Sequence, residues 1–294
     1  MVWLLLSSLI LAFSIPINKR LFGDLNPFTT ASIFCLASAL FFFPFCKRKW
    51  KNPSDWLKIL LIGAVQFGLM YVLFQSSFFF LNGHEVALLM VSTPAYVVGI
   101  DSVLSKRWSR SSIIFAAMAV LLTILSMDFS QKFHFQWQGI MLIQSCNFSF
   151  ALGQILLKRF CRAQNISNTF SLNSVLYGGA AIICFPMAFF SRKYLSLPPY
   201  TAADISNASL FGIVCCGICH WFWNVGTLRT PTHVLATMNN LQIPLAVIVS
   251  CVAFGEKIDK FRFTGTMAIL GIMILAPILA QKNYKISKSR EVKF

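Results

Sequence analysis

Long apolar runs separated by short polar turns recur ten times along the chain, at residues 2–18, 27–46, 56–80, 84–104, 111–128, 137–157, 168–190, 207–228, 234–254 and 261–281. Each is close to the ~20 residues that cross a bilayer as an α-helix. The runs lack the two-residue alternation of barrel strands, and an open sheet leaves backbone groups unsatisfied in lipid. The pattern therefore predicts an all-α membrane protein of ten transmembrane helices, with connections too short to hold a separate domain. The opening MVWLLLSSLI has no basic stretch and no small-residue cleavage site, so it reads as the first span.

Composition sharpens this picture. Of 294 residues, 57% are apolar and 12% charged, with a mean hydropathy of +0.70. A soluble domain carries roughly 25% charged residues, so a soluble enzyme is excluded. The net charge of +16 follows topology and does not imply nucleic acid. Of the 25 Lys and Arg, 17 fall in Lys47–Lys58, Lys106–Arg110, Lys158–Arg162, Arg229 and the tail from Lys282 to Lys293. The other 8 lie on the opposite side of the alternating spans. The positive-inside rule then places both termini in the cytoplasm, with the spans in the inner membrane and residues 282–294 as a basic cytoplasmic tail. Most of the nine Cys sit in apolar runs as small hydrophobes, implying no disulfide.

The chain also repeats itself. Pro94 and Pro244 each interrupt an apolar span, 150 residues apart. Upstream of each, the span opens at a small polar turn, Asn82-Gly83-His84 and Thr230-Pro231-Thr232-His233. Five spans lie in residues 1–135 and five in 136–281. An odd number per half reverses the second half, giving two inverted five-helix repeats, an arrangement used by transporters with a site at mid-membrane.

The mid-helix proline followed by Gly255-Glu256 at the last hairpin resembles the EamA-type drug/metabolite transporter superfamily. Trp223-Asn224-Val225-Gly226, Ala236-Thr237-Met238 and Pro244 look like its eighth and ninth helices. The resemblance implies a ten-helix carrier whose helices one, three, four, six, eight and nine line a cavity. It implies substrates such as amino acids, amines, drugs or S-adenosylmethionine.

Polar side chains in lipid are costly and tend to face the bundle interior. Here they form faces at helical spacing: Ser7, Ser14 and Asn18; Tyr71 and Gln75; Glu85, Ser92 and Tyr96; Gln144, Asn147 and Gln154; His220 and Asn224; and Asn239, Asn240 and Gln242. Six spans thus carry polar faces, while the second, fifth, seventh and tenth read as scaffold. The candidate substrate-binding residues are Tyr71, Gln75, Ser92, Gln144, Asn147, Phe148, His220, Trp221, Trp223, Asn224, Asn239 and Asn240. Glu85 and Asp101 are the candidate coupling acids.

Cys216-Gly217-Ile218-Cys219-His220 matches the c-type haem string, but mid-span it has the wrong context, and no cofactor or metal is expected. No nucleophile elbow, HExxH or paired midplane acids occur, so an enzyme is not expected. No Lys or Arg lies deep in a span, which disfavours phosphorylated substrates. The expected function is alternating-access exchange or facilitated transport of a small zwitterionic or cationic metabolite, amino-acid-like, such as an amino acid or S-adenosylmethionine. A proton-coupled drug or amine exporter is the alternative. The expected partners are the substrate and the bilayer, with the protein a monomer or weak homodimer.

Overall fold

The computed structural model describes residues 2–46, 53–126, 136–194, 198–245, 264–265, 267–268 and 271–272. Among them every regular element is helical. The helices are α1 (Val2–Phe22), α2 (Pro27–Phe42), α3 (Pro53–Gly63), α4 (Met70–Ser77), α5 (Gly83–Met90), α6 (Thr93–Ser105), α7 (Arg110–Ser126), α8 (Trp137–Ala163), α9 (Asn173–Tyr194), α10 (Ala202–Phe211), α11 (Cys219–Leu228) and α12 (Thr232–Asn239). A π-helical segment, Ala64–Leu69, joins α3 to α4, and another, Gly212–Ile218, joins α10 to α11, so each pair is one continuous rod. Six helical stretches are long and apolar enough to cross a membrane: Pro27–Phe45, Pro53–Ser77, Glu85–Ser105, Trp137–Ala163, Phe170–Ser191 and Ala202–Leu228. The helices coincide with the first eight expected spans and the start of the ninth. Asp128, Glu256, most of the tenth span and the basic tail lie outside the described residues.

Packing centres on α2 and α9, which run antiparallel. Asn26 Nδ2 donates to Ser191 Oγ (3.1 Å) near one end, and Ser174 Oγ donates to the Ala39 carbonyl (3.1 Å) toward the other. Midway, the Cys35 and Cys184 sulfurs stand 3.9 Å apart. The two π-containing rods clasp this pair through glycines. A Cβ on Gly63 would fall 1.9 Å from the Leu176 carbonyl oxygen of α9. One on Gly212 would fall 2.8 Å from the Phe34 Cα of α2. Gly68 and Gly217 repeat the pattern on α9 and α2, facing Ala180 and Ser38. Both glycine pairs recur at a spacing of 149 residues. Close backbone approach of this kind is how membrane helices gain contact where no hydrophobic force separates them from lipid.

Two chain breaks sit opposite each other. α5 ends at Met90 and α6 restarts at Thr93, because Pro94 lacks an N–H and its ring displaces the preceding turn. α12 ends at Asn239, and a turn at Asn240 and Leu241 precedes Gln242–Leu245, which holds Pro244.

Candidate functional site

A broken helix leaves carbonyls without partners, and in a membrane these must be satisfied from within the protein. Thr93 Oγ1 donates to the Met90 carbonyl (2.6 Å), the group Pro94 cannot serve. Asn147 Nδ2 (2.9 Å) and, more weakly, Gln144 Nε2 (3.4 Å) donate from α8 to the Leu89 carbonyl. Asn240 Nδ2 donates to the Val91 carbonyl (2.9 Å), so one break caps the other. Gln144 Oε1 in turn accepts from the hydroxyls of Ser92 (2.8 Å) and Tyr96 (3.0 Å). Three amide nitrogens, two on α8 and one at the turn after α12, are thus taken up by backbone.

Beside the breaks lies a partly open cavity. Its wall is built from Leu11, Ser14 and Asn18 of α1, Met70, Tyr71 and Phe74 of α4, and Met90 and Thr93 at the first break. Cys146, Asn147 and Phe150 of α8, Phe211, Cys215, Cys216, His220 and Trp223 of the second π-containing rod, and Asn239 and Gln242 at the second break also line it. Neither α2 nor α9 contributes, which fits their scaffold role.

His220 is the most constrained of these groups. Its Nδ1 stands 2.9 Å from the Cys216 carbonyl, which can only accept, so the ring proton is on Nδ1. The Tyr71 hydroxyl is 3.2 Å from the same nitrogen. Phe67, Tyr71 and Phe150 set their rings edge-on to the imidazole, at centroid distances of 5.3, 5.9 and 5.9 Å. Nε2 makes no protein hydrogen bond and is left as a bare acceptor on the cavity wall.

The two asparagines of the wall follow the same logic. Asn147 has its amide nitrogen on Leu89 and on Ser92 Oγ (3.1 Å), and Asn239 has its own on the Leu235 carbonyl (2.9 Å). Asn147 therefore keeps only its carbonyl oxygen for the cavity, while Asn239 keeps its carbonyl oxygen and one N–H. Gln242 makes no protein hydrogen bond and offers both ends of its amide. Asn18 Oδ1 is buried without a partner. Among the described residues no Lys, Arg, Asp or Glu lines the wall. Among the described residues the site is an uncharged, aromatic-walled pocket with acceptors at Asn147, Asn239 and His220 and a buried, unpaired donor at Trp223 Nε1, suited to a ligand that brings N–H donors and a carbonyl.

The structure brings together five of the expected binding residues, Tyr71, Asn147, His220, Trp223 and Asn239. It places the others apart from the wall. Gln75 is buried near the end of α4, and Ser92, Gln144 and Asn240 serve the breaks. Asn224 accepts from Gln66 Nε2 (3.0 Å) beneath the Trp223 floor. Phe148 is 45% exposed, facing away from the bundle. Trp221 donates to Asn168 Oδ1 (2.9 Å) in the α8–α9 connection. Of the acids, Glu85 closes the capping box of α5, accepting from the Asn82 N–H at 2.8 Å. Asp101 accepts from Thr232 Oγ1 (2.6 Å) and lies 3.8 Å from Arg159. Cys219 packs on Ser7 of α1, its sulfur 3.2 Å from the hydroxyl, on a different face from His220. Asn18, Thr93 and Gln242 belong to the wall although the sequence selection passes over them; Asn18 and Gln242 lie on faces it does mark as polar.

A model of the EamA-like transporter family matches residues 1–127 and 137–285. The chain belongs to that family. Among similar EamA-like proteins, the biotin transporter of Escherichia coli (strain K12) is 26% identical over 274 residues, covering 92% of this chain and 90% of its own. The biotin transporter of Salmonella typhimurium is 27% identical over the same length. The probable biotin transporter of Pseudomonas aeruginosa is 28% identical over 282 residues, covering 94% and 95%. A solved chain titled "Crystal structure of protein" superposes with a TM-score of 0.72 over 95% of this chain and 98% of its own, at 15% identity. An EamA-like family assignment and apolar helices of spanning length make this a multi-pass membrane protein of a transporter family.

Proposed function

We propose that the protein carries biotin across the inner membrane through this cavity. The uncharged wall, with its acceptors and its unpaired Trp223 donor, is the observation that bears the reading. A cyclic urea presents two N–H donors and one carbonyl, matching the Asn147, Asn239 and His220 acceptors and the Gln242 amide. Three similar proteins carry the name of biotin transporter or probable biotin transporter. An amino acid or S-adenosylmethionine fits less well. Its carboxylate sits beside its ammonium and would be drawn into a pocket that holds no cation. In biotin a flexible pentanoate chain separates the carboxylate from the neutral ureido ring, so the ring can enter alone.

The transport cycle we infer is alternating access between two inverted five-helix repeats. Support comes from contacts between residues separated by 149 positions: Cys35 with Cys184, Tyr71 with His220, and Val91 with Asn240. Residues that meet their own equivalents lie on a pseudo-two-fold axis. The antiparallel course of α2 and α9 sets that axis across the helices, as inverted halves require. The two stretches matched by the family model fall on the two halves. Glu85 and Asp101 are held by a helix cap and an interhelical contact away from the wall, which favours facilitated diffusion or exchange over proton coupling.

Uptake of labelled biotin into proteoliposomes tests the reading. Saturable uptake, competed by unlabelled biotin and not by amino acids or S-adenosylmethionine, is the expected result. Competition by S-adenosylmethionine with no effect of biotin would overturn it.

A further inference from the structure

We propose that Lys19 is the residue that recognises the carboxylate of the transported acid, at the rim of the cavity; the proposal rests on the biotin reading. Among the described residues the wall holds no cation, so a substrate with a urea head and an acid tail must place its anion beyond the wall. Asn18 lines the cavity, and Lys19 is the next residue of α1. The Lys19 ammonium donates to the Phe78 carbonyl (3.0 Å) and stands 5.2 Å from the centre of the Phe78 ring. Phe78 follows one helical turn after Phe74, itself a wall residue. The charge is therefore held between the ends of α1 and α4, one residue along the chain from the wall residue Asn18.

Three features make this ammonium available. Only one of its three protons is used, because a single carbonyl takes one donor. Among the described residues no carboxylate lies within 4 Å of it, since the ion pairs found there are Lys58–Asp55 and Arg159–Asp101. The acids near this end of the bundle are otherwise placed: Glu85 closes the α5 cap and Asp24 is exposed. The side chain is also half-buried against an aromatic ring, where a charge is screened less than in open water.

Capping the Phe78 carbonyl alone needs a donor but no charge, and that difference can be measured. Uptake by the full-length protein in proteoliposomes is compared for biotin and its uncharged primary amide. Lys19→Gln keeps a donor and removes the charge. It is expected to raise KM for biotin about tenfold, or about 1.4 kcal/mol, and to leave KM for the amide within about twofold. Lys19→Arg is expected to stay near the unmodified protein for both. Equal losses for acid and amide in Lys19→Gln would make Lys19 a helix cap only, and an unchanged KM for biotin would also overturn the assignment. Failure of the unmodified protein to take up biotin at all would instead refute the substrate reading, and carboxylate recognition with it.

Discussion

Tyr71 and His220 stand 149 residues apart in the chain, and the tyrosine hydroxyl lies 3.2 Å from the imidazole Nδ1. They are not alone in the cavity. Phe74 and Trp223, Met90 and Asn239, and Thr93 and Gln242 share that spacing, and all eight residues line the wall. The cavity thus straddles the relation between the two halves, while the side chains on either side of it differ in chemistry. On the proposed inverted-repeat reading, a two-fold backbone would carry an asymmetric pocket, able to orient a ligand that has a distinct head and tail.

On the proposed reading His220 would serve this orientation through Nε2, with Nδ1 anchored on the Cys216 carbonyl. Replacing it by Leu should weaken biotin binding by about 10- to 100-fold, the cost of leaving a substrate N–H unpaired in a dry site. His220→Gln can present an amide oxygen near the same place and should recover much of the loss. Tyr71→Phe should cost less than His220→Leu, because the carbonyl still holds the ring. Binding followed by calorimetry or thermal shift decides the order; equal affinities for His220→Leu and the unmodified protein would remove His220 from the site.

Asn240 is expected to behave in the opposite way. It is fully buried, and its amide satisfies the Val91 carbonyl across the two breaks. Asn240→Ala should lower the stability of the ligand-free protein by about 1–3 kcal/mol, the range for orphaning a buried polar group. Affinity for substrate should change by less than about threefold. Melting in detergent with and without ligand separates the two effects, and a large loss of affinity at unchanged stability would return Asn240 to the binding site.

The contrast between His220 and Asn240 shows what the sequence makes legible. Apolar runs place α1 to α11 because about 20 residues of hydrocarbon demand no knowledge of neighbours. Polar faces identify the helices around the cavity for the same reason. They do not say which amide faces the cavity, because that depends on the carbonyls freed at the breaks. Pro94 and Pro244 mark the breaks in the sequence, yet nothing in a single chain says that Asn240 answers Val91 or that Asn147 answers Leu89. The prolines also give a repeat of 150, whereas the contacts run at 149. The second break is followed one residue later by its proline than the first, so Thr93 pairs with Gln242 and not with Ile243.

The glycine contacts give a prediction about folding. Gly63→Ala sets a Cβ 1.9 Å from the Leu176 carbonyl oxygen, and Gly212→Ala one 2.8 Å from the Phe34 Cα. Both meet backbone, which cannot rotate away as a side chain can. The rods should then be forced off α9 and α2, with a severalfold fall in the yield of monodisperse protein. Gly63→Ala should be the worse. Gly99 of α6 has nothing within 4 Å of its Cβ position, so Gly99→Ala should leave yield unchanged or raise it, in line with a helix gain of about 1 kcal/mol. A Gly99 variant as damaging as the Gly63 variant would mean that the rods do not pack as described.

The last prediction concerns the side of the bundle that is closed. Beneath Trp223, Gln66 donates to Asn224 Oδ1 (3.0 Å), Gln154 to Thr227 Oγ1 (3.2 Å), and the buried Lys158 ammonium to the Thr230 carbonyl (2.8 Å). These rungs tie α8 and the first rod to α11 and must part for the cavity to open the other way. The 149-residue relation names what would then line it, since Gln66 is the counterpart of Cys215, and Phe160 of Leu11. A cysteine at Gln66 or Phe160, in a background without other reactive cysteines, should label slowly in the resting protein. Lys158→Met should speed its labelling several-fold while slowing labelling at Asn18→Cys, because removing one rung favours the opposite opening. The expected signature is this reciprocity, read with a membrane-impermeant thiol reagent applied from each face. If both positions speed up together, Lys158 is holding the fold as a whole, and its loss loosens the bundle without switching it.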